Sequence, residues 1–378
     1  MVVTRAAVLF ALLAAATLGA SQRPLVQAQG LDAGLSSSAG GQTPEQEGPT
    51  SDASVSSSPR TCSATTVRGP RQSSFIKRTA FAGGRLWLLS DQGELSSLRE
   101  DGERREDAGL CEPVIDLCAR GGELVLVTSA SKRRRGWTLR RWHRGRWSID
   151  GTLSAHGERL VGMTCSPDSV LLISSGRLID VAPKKREVVR LSGQWAWGRG
   201  GVRTIHATGS SVYIGVNAGE WGGGLRRIDR RTGRRTIVPR NETGKLCEGP
   251  LDGRCDPVTG IVADPWKPGC IVAAVGVMHF TSSGRLVEVC ANDVETLYSN
   301  DGTAFFGLSR VADELWAAAN DGIYRAKGRG AFDRVPLPKL KMIGDIAVSF
   351  ELPNMIVVLT DVNRRRSVSG SVPLLVPR

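Results

Sequence analysis

Beyond residue 60 the chain is written in short apolar runs rich in Val, Ile, Leu and Trp, separated by Gly, Asp and Asn, with no sustained 3.6-residue periodicity. Runs of this length bounded by turn formers read as strands, so the pattern predicts an all-β protein. Stacking the runs exposes a repeat. "GRLWLLSDQGELSSL" (84–98), "DSVLLISSGRLIDV" (168–181), "SSVYIGVNAGEWGGGLRRID" (210–229) and "DELWAAANDGIYRA" (313–326) each join three or more apolar residues, a polar bend ending in Gly, and an alternating strand. Looser copies occupy 122–142, 269–289 and 354–372, and the apolar starts fall at Leu86, Leu124, Val170, Val212, Ile271, Leu315 and Met355. A period near forty residues with four short strands per copy fits the blade of a propeller. The expectation is therefore a seven-bladed β-propeller of four-stranded antiparallel blades over 61–378. The segment near Thr65 to Val67 would complete the blade begun at Met342, leaving no free sheet edge.

The glycines at 222–224 follow a strand, which is also where phosphate-cradling loops sit. Such a loop must feed a helix N-terminus, whereas Leu225 to Asp229 alternates with period two and "DRRTG" closes another hairpin. The glycines are thus expected to bend a blade, with Glu220 and Trp221 enlarging the bend. Two stretches, "ELWAAANDGIYRA" and "GGLRRIDRRTGRRTIV", resemble the repeats of two-component-regulator-type (sensor) propellers. That resemblance implies the fold and a binding role, and carries over no catalytic residue.

The N-terminus adds a compartment. One early cation (Arg5), an apolar run from Ala6 to Leu18 and small residues up to Ala28 read as a secretory signal over 1–28, too short to span a bilayer. Residues 29–60, rich in Ser, Gly, Pro and Gln and free of aromatics, read as a disordered tether. The expected locale is secreted or periplasmic. Eight cysteines without a CxxC pair then argue for disulfides over metal, and no cofactor is expected.

Aligning the expected inner strands (77–82, 114–119, 161–166, 204–209, 259–264, 306–311 and 343–348) puts Cys118 and Cys165 in one column of adjacent blades, so they are expected to pair. Cys247 and Cys255 should close a loop inside the longest repeat interval. Cys62, Cys111, Cys270 and Cys290 receive no pairing, because the expected hairpin register places Cys290 nearer Val275 than Cys270.

Two groups of residues carry chemistry. The same alignment puts Asp116, His206 and Asp345 in one column facing the channel. Two carboxylates and an imidazole there suit a hydrolase or lyase, with Asp116 and Asp345 able to hold a cation. The second group is "KRRRGWTLRRWHRGRW" (132–147). In it Arg133, Arg134, Arg135, Arg140 and Arg141 surround Trp137 and Trp142, a composition that grips anionic polymers by forked hydrogen bonds and stacking. The formal charge of +13 agrees with an anionic partner. Missing nucleophile motifs favour a non-enzymatic exported propeller that binds a protein, anionic polysaccharide or envelope polymer through its face or basic edge, with Trp221 as a further contact. Export argues against intracellular nucleic acid.

Overall fold

The computed structural model describes residues 76–106, 110, 112–129, 136–193, 201–238, 245, 247–278, 282–291, 293–336, 346–360 and 374–377. All lie in the unit Thr61–Arg378. The expected signal, the tether and the strand near Thr65 to Val67 lie outside them.

The described residues form an all-β, seven-bladed propeller. Six sheets have four strands and the seventh has three among the described residues; within each, consecutive strands pair antiparallel as a meander. The innermost strands are Ile76–Ala82, Val114–Arg120, Leu160–Cys165, Gly201–Ala207, Val258–Ala263, Phe305–Val311 and Ile346–Ser349. They head blades 1 to 7 in chain order. The C-terminal strand Leu374–Pro377 pairs with Met355–Thr360 as the third strand of blade 7.

Each second strand reads as an unbroken apolar run because both of its faces are covered. In Arg85–Ser90, Leu86 and Leu88 pack against Leu352, Val357 and Leu359 of blade 7. Trp87 and Leu89 point the other way, into Val114, Leu117, Leu124 and Leu126 of blade 2. The same arrangement recurs around the molecule, giving an apolar layer between every consecutive pair of blades, including the last and the first. The ring is closed by packing.

Three disulfides lie among the described residues. Cys118 joins Cys165 with Cα atoms 5.7 Å apart, and Cys247 joins Cys255 at 5.4 Å. The third, Cys270–Cys290, corrects the register read from sequence. Ile271 faces Val289 and Met278 faces Ser282, so the hairpin turns earlier than expected and brings Cys270 opposite Cys290, Cα to Cα 4.5 Å. Peptide mapping of non-reduced protein is expected to recover these three bridges, and Cys290 found free or bonded elsewhere would contradict this hairpin register.

Candidate functional site

The seven inner strands enclose a cavity of about 1000 Å³ along the propeller axis. Its wall is shaped by a recurring bulge. The pairing of first and second strands slips by one residue between Ile76 and Arg78, Val114 and Asp116, Leu160 and Gly162, Val202 and Thr204, Val258 and Gly260, and Phe305 and Gly307. Equivalent positions just past the bulge are therefore Arg78, Asp116, Gly162, Thr204, Gly260 and Gly307. Neighbouring blades approach closely here. A Cβ on Gly260 would lie 2.7 Å from the Leu308 amide nitrogen, and one on Gly162 would lie 2.4 Å from Ile205 Cδ1.

This register separates the residues that the sequence grouped. Asp116 sits just past the bulge, opposite Val127, whereas His206 lies two positions further along its own strand, opposite Tyr213. Asp345 lies outside the described residues. Asp116 is fully buried and does not line the cavity. Its Oδ1 accepts from Arg78 Nε at 3.0 Å and from the Leu117 amide at 3.0 Å; its Oδ2 accepts from the Met163 amide at 2.8 Å. One carboxylate thus ties together blades 1, 2 and 3, and no oxygen is left for a cation or a substrate. Among the described residues no cluster of three or more His, Cys, Asp or Glu side chains is arranged to hold a metal.

The cysteine column is also displaced. Cys118 pairs across to Val125 and Cys165 to Val170, so Cys165 stands one step nearer its hairpin than Cys118. A disulfide tolerates that offset between adjacent strands, and both residues line the cavity.

In the described part of the basic stretch, 136–147, the tryptophans turn inward while Arg144 and Arg146 are exposed. Arg133, Arg134 and Arg135 lie outside the described residues. In the third strand of blade 2, Gly136–His143, alternation sends Trp137 and Leu139 into the layer shared with blade 3, leaving Trp137 buried. Trp142 turns the other way and packs against Trp87 and Trp147, with ring centroids 5.6 and 4.8 Å away. Arg140 meets Glu112 at 2.7 Å, and Arg141 meets Asp150 at 2.6 Å and Glu123 at 3.3 Å. These tryptophans are core, and both arginines have acidic partners.

Trp221 is different: it is 80% exposed. It ends a short 3-10 turn, Gly219–Trp221, inserted between the second and third strands of blade 4 and lining one mouth of the cavity. Asn217 Oδ1 accepts from the Gly219 amide at 2.7 Å and starts the turn. The glycines after it serve close approach. A Cβ on Gly222 would fall 2.3 Å from the Arg254 carbonyl, and the amides of Gly223 and Gly224 donate to Gly253 and Asp256 at 3.1 and 2.7 Å. The Cys247–Cys255 loop therefore braces the turn that carries Trp221. That loop is itself fixed by buried Leu251 and by Arg285, which donates to Asp256 at 2.5 Å and to the Pro250 carbonyl at 2.7 Å. The glycine run and the cysteine pair were each visible in the sequence; their contact was not, since about thirty residues separate them.

Electrostatics differ along the channel. Lys77 donates to the Ile115 carbonyl at 2.8 Å, and burial holds its ammonium below the usual lysine range despite the charge of Asp116. Burial likewise depresses His206, and Arg310 adds to the effect. Glu351 is reached by channel water yet enclosed by the wall. Enclosure pushes its carboxyl up to about 7 against a hydrogen bond from Thr79, the Arg78 charge and the Phe81 amide.

No protein-family model matches the sequence, and no curated protein matches it. Solved structures match in fold. YCF48 bound to D1 peptide is 13% identical with a TM-score of 0.51, covering 81% of this chain and 94% of that one. YCF48 from Cyanidioschyzon merolae is 14% identical (TM-score 0.48; 80% and 94% covered). The extracellular domain of BT4673 from B. thetaiotaomicron is 14% identical (TM-score 0.49; 79% covered), and the match spans 38% of that chain. At such identities the likeness is one of architecture, the seven-bladed arrangement that the sensor-type repeats implied.

Two outcomes follow from this geometry. Replacing Asp116 by Ala takes a buried acceptor from the Met163 amide and an ion pair from part-buried Arg78, so urea denaturation should show a loss of about 1–3 kcal/mol; a loss below about 1 kcal/mol would remove its bracing role. Glu351 has a folded value above its unfolded one. Its protonated form therefore supports the fold fully below the unfolded value, and the support is lost as pH rises through about 7. Glu351→Gln should unfold at higher urea than the parent at pH 8 and at nearly the same urea at pH 4; an equal difference at both pH values would contradict the shift.

Proposed function

We propose that this chain is an exported, non-enzymatic binding protein that takes a segment of a protein partner at the channel mouth crowned by Trp221. The observation that carries the reading is the exposed indole held on a braced turn. A bare tryptophan costs solvation, and a disulfide loop packed behind it keeps the ring from folding back onto its hairpin. Large, pre-organised aromatic rings at the rim of a concave site are the usual anchors of protein recognition. Apolar Ile76, Met278 and Phe306 line the same cavity, so an apolar side chain of the partner has a place to enter beside the ring.

Export is supported by the three disulfides, which persist in oxidising compartments, and by the leader read at the N-terminus. No helix among the described residues is long and apolar enough to cross a membrane. A propeller of similar fold, YCF48, has been solved with D1 peptide bound; in this chain a peptide is inferred from Trp221 and its surroundings. The internal ion pairs of Arg140 and Arg141 favour the mouth over the basic edge as the contact surface. A hydrolase or lyase reading loses its acid, because Asp116 is consumed by Arg78 and two amides.

Panning a phage library of linear peptides against the protein tests this reading. Enriched peptides should lose about 30-fold in affinity on Trp221→Ala, the loss typical of an anchoring tryptophan, and be unaffected by Ile149→Ala on the outer edge. Failure to enrich any sequence, or equal binding to the Trp221→Ala protein, would overturn it.

A further inference from the structure

The far end of the channel has a different chemistry from the mouth with Trp221. In blade 4, Gly201 pairs with Asn217 beside the Trp221 turn, while His206 pairs with Tyr213 close to the opposite hairpin. Arg310 occupies the same end of blade 6, pairing with Leu315 one step before its hairpin. Both line the cavity, and burial first, with the Arg310 charge second, holds the His206 imidazole below its usual range. Arg310 Nε is tied to the Ala312 carbonyl at 2.9 Å, which orients the guanidinium and leaves its terminal nitrogens for another acceptor. Between the two, blade 5 contributes Val262 and Ala263, which offer no charge.

Neither His206 nor Arg310 has an acidic partner among the described residues. The other carboxylate lining this end, Glu351, is engaged by Thr79 and the Phe81 amide on blade 1. Exposed Arg310 and half-buried His206 therefore line the same end of one cavity, with no acidic partner for either among the described residues. Guanidinium forks match carboxylate geometry in two parallel hydrogen bonds, and a neutral imidazole supplies one more donor. One positive charge with these donors suits a single negative charge and leaves a dianion undercompensated.

We propose that the hairpin end of the channel binds a small carboxylate, held by the terminal guanidinium nitrogens of Arg310 and by the His206 imidazole N–H. The carboxylate belongs either to a free acid or to the C-terminus of a peptide. The site is independent of Trp221 and stands or falls separately from the peptide contact at the other mouth.

The chain has four histidines, so the His206 ring signals can be assigned in NMR spectra by comparison with His206→Gln. Titrating the full protein with N-acetylalanine should shift those signals and raise the His206 pKa by about half a unit or more, because a bound anion offsets Arg310. N-acetylalaninamide should do neither. In Arg310→Gln the His206 pKa should already be higher and N-acetylalanine should leave it unmoved, with unchanged signals from the other histidines confirming the fold. Tri-alanine with a free C-terminus binding at least 10-fold more tightly than N-acetylalanine would assign the peptide end, and equal affinity the free acid; both support the site. It is overturned by the absence of any N-acetylalanine effect, by an equal effect of the amide, or by an undiminished effect in Arg310→Gln.

Discussion

Everything in this molecule depends on blades packing face to face. A four-stranded sheet with apolar residues on both faces of its inner strands cannot exist alone in water, and burial of each such side chain is worth about 1.5–3 kcal/mol. Each blade therefore needs two neighbours, and the only way to give the first and last blades theirs is to close the ring. Leu86 and Leu88 of blade 1 meeting Leu352, Val357 and Leu359 of blade 7 is that closure. The channel follows from it, since wedge-shaped packing leaves the inner strands surrounding an axis.

The same packing explains what could be read from sequence. Second strands buried on both faces spell continuous apolar runs, so Leu86, Leu124, Val170, Val212, Ile271, Leu315 and Met355 announce the seven repeats directly. Inner strands are less legible. Six of the seven carry a bulge before the position where blades touch, and small or polar residues occupy that position, as Arg78, Asp116, Gly162 and Thr204 do. An alignment by residue type alone slides by one or two steps, which is why Asp116 and His206 looked equivalent when they are two positions apart. The Cys118–Cys165 bridge survives the same slip because adjacent strands remain within reach.

Surface chemistry was harder still. Arginines interleaved with tryptophans look like a polymer-binding strip, but a strand buried on both faces sends Trp137 and Trp142 in opposite directions into two different layers. Trp221, by contrast, read from the sequence as part of an enlarged bend and as a further contact. Its prominence comes from a contact between the glycines of blade 4 and the loop entering blade 5, a tertiary event with no local signature. The result is a channel with unlike ends, one crowned by an exposed indole, the other carrying Arg310 and His206.

Ring closure can be measured by a double-mutant cycle between Leu88 and Val357. The two residues lie near opposite termini of the propeller but share one apolar layer. Truncating each to Ala, singly and together, and measuring urea denaturation should give a coupling energy of about 0.5–3 kcal/mol, as for residues in contact. Strict additivity, within about 0.3 kcal/mol, would mean that the first and last blades do not meet.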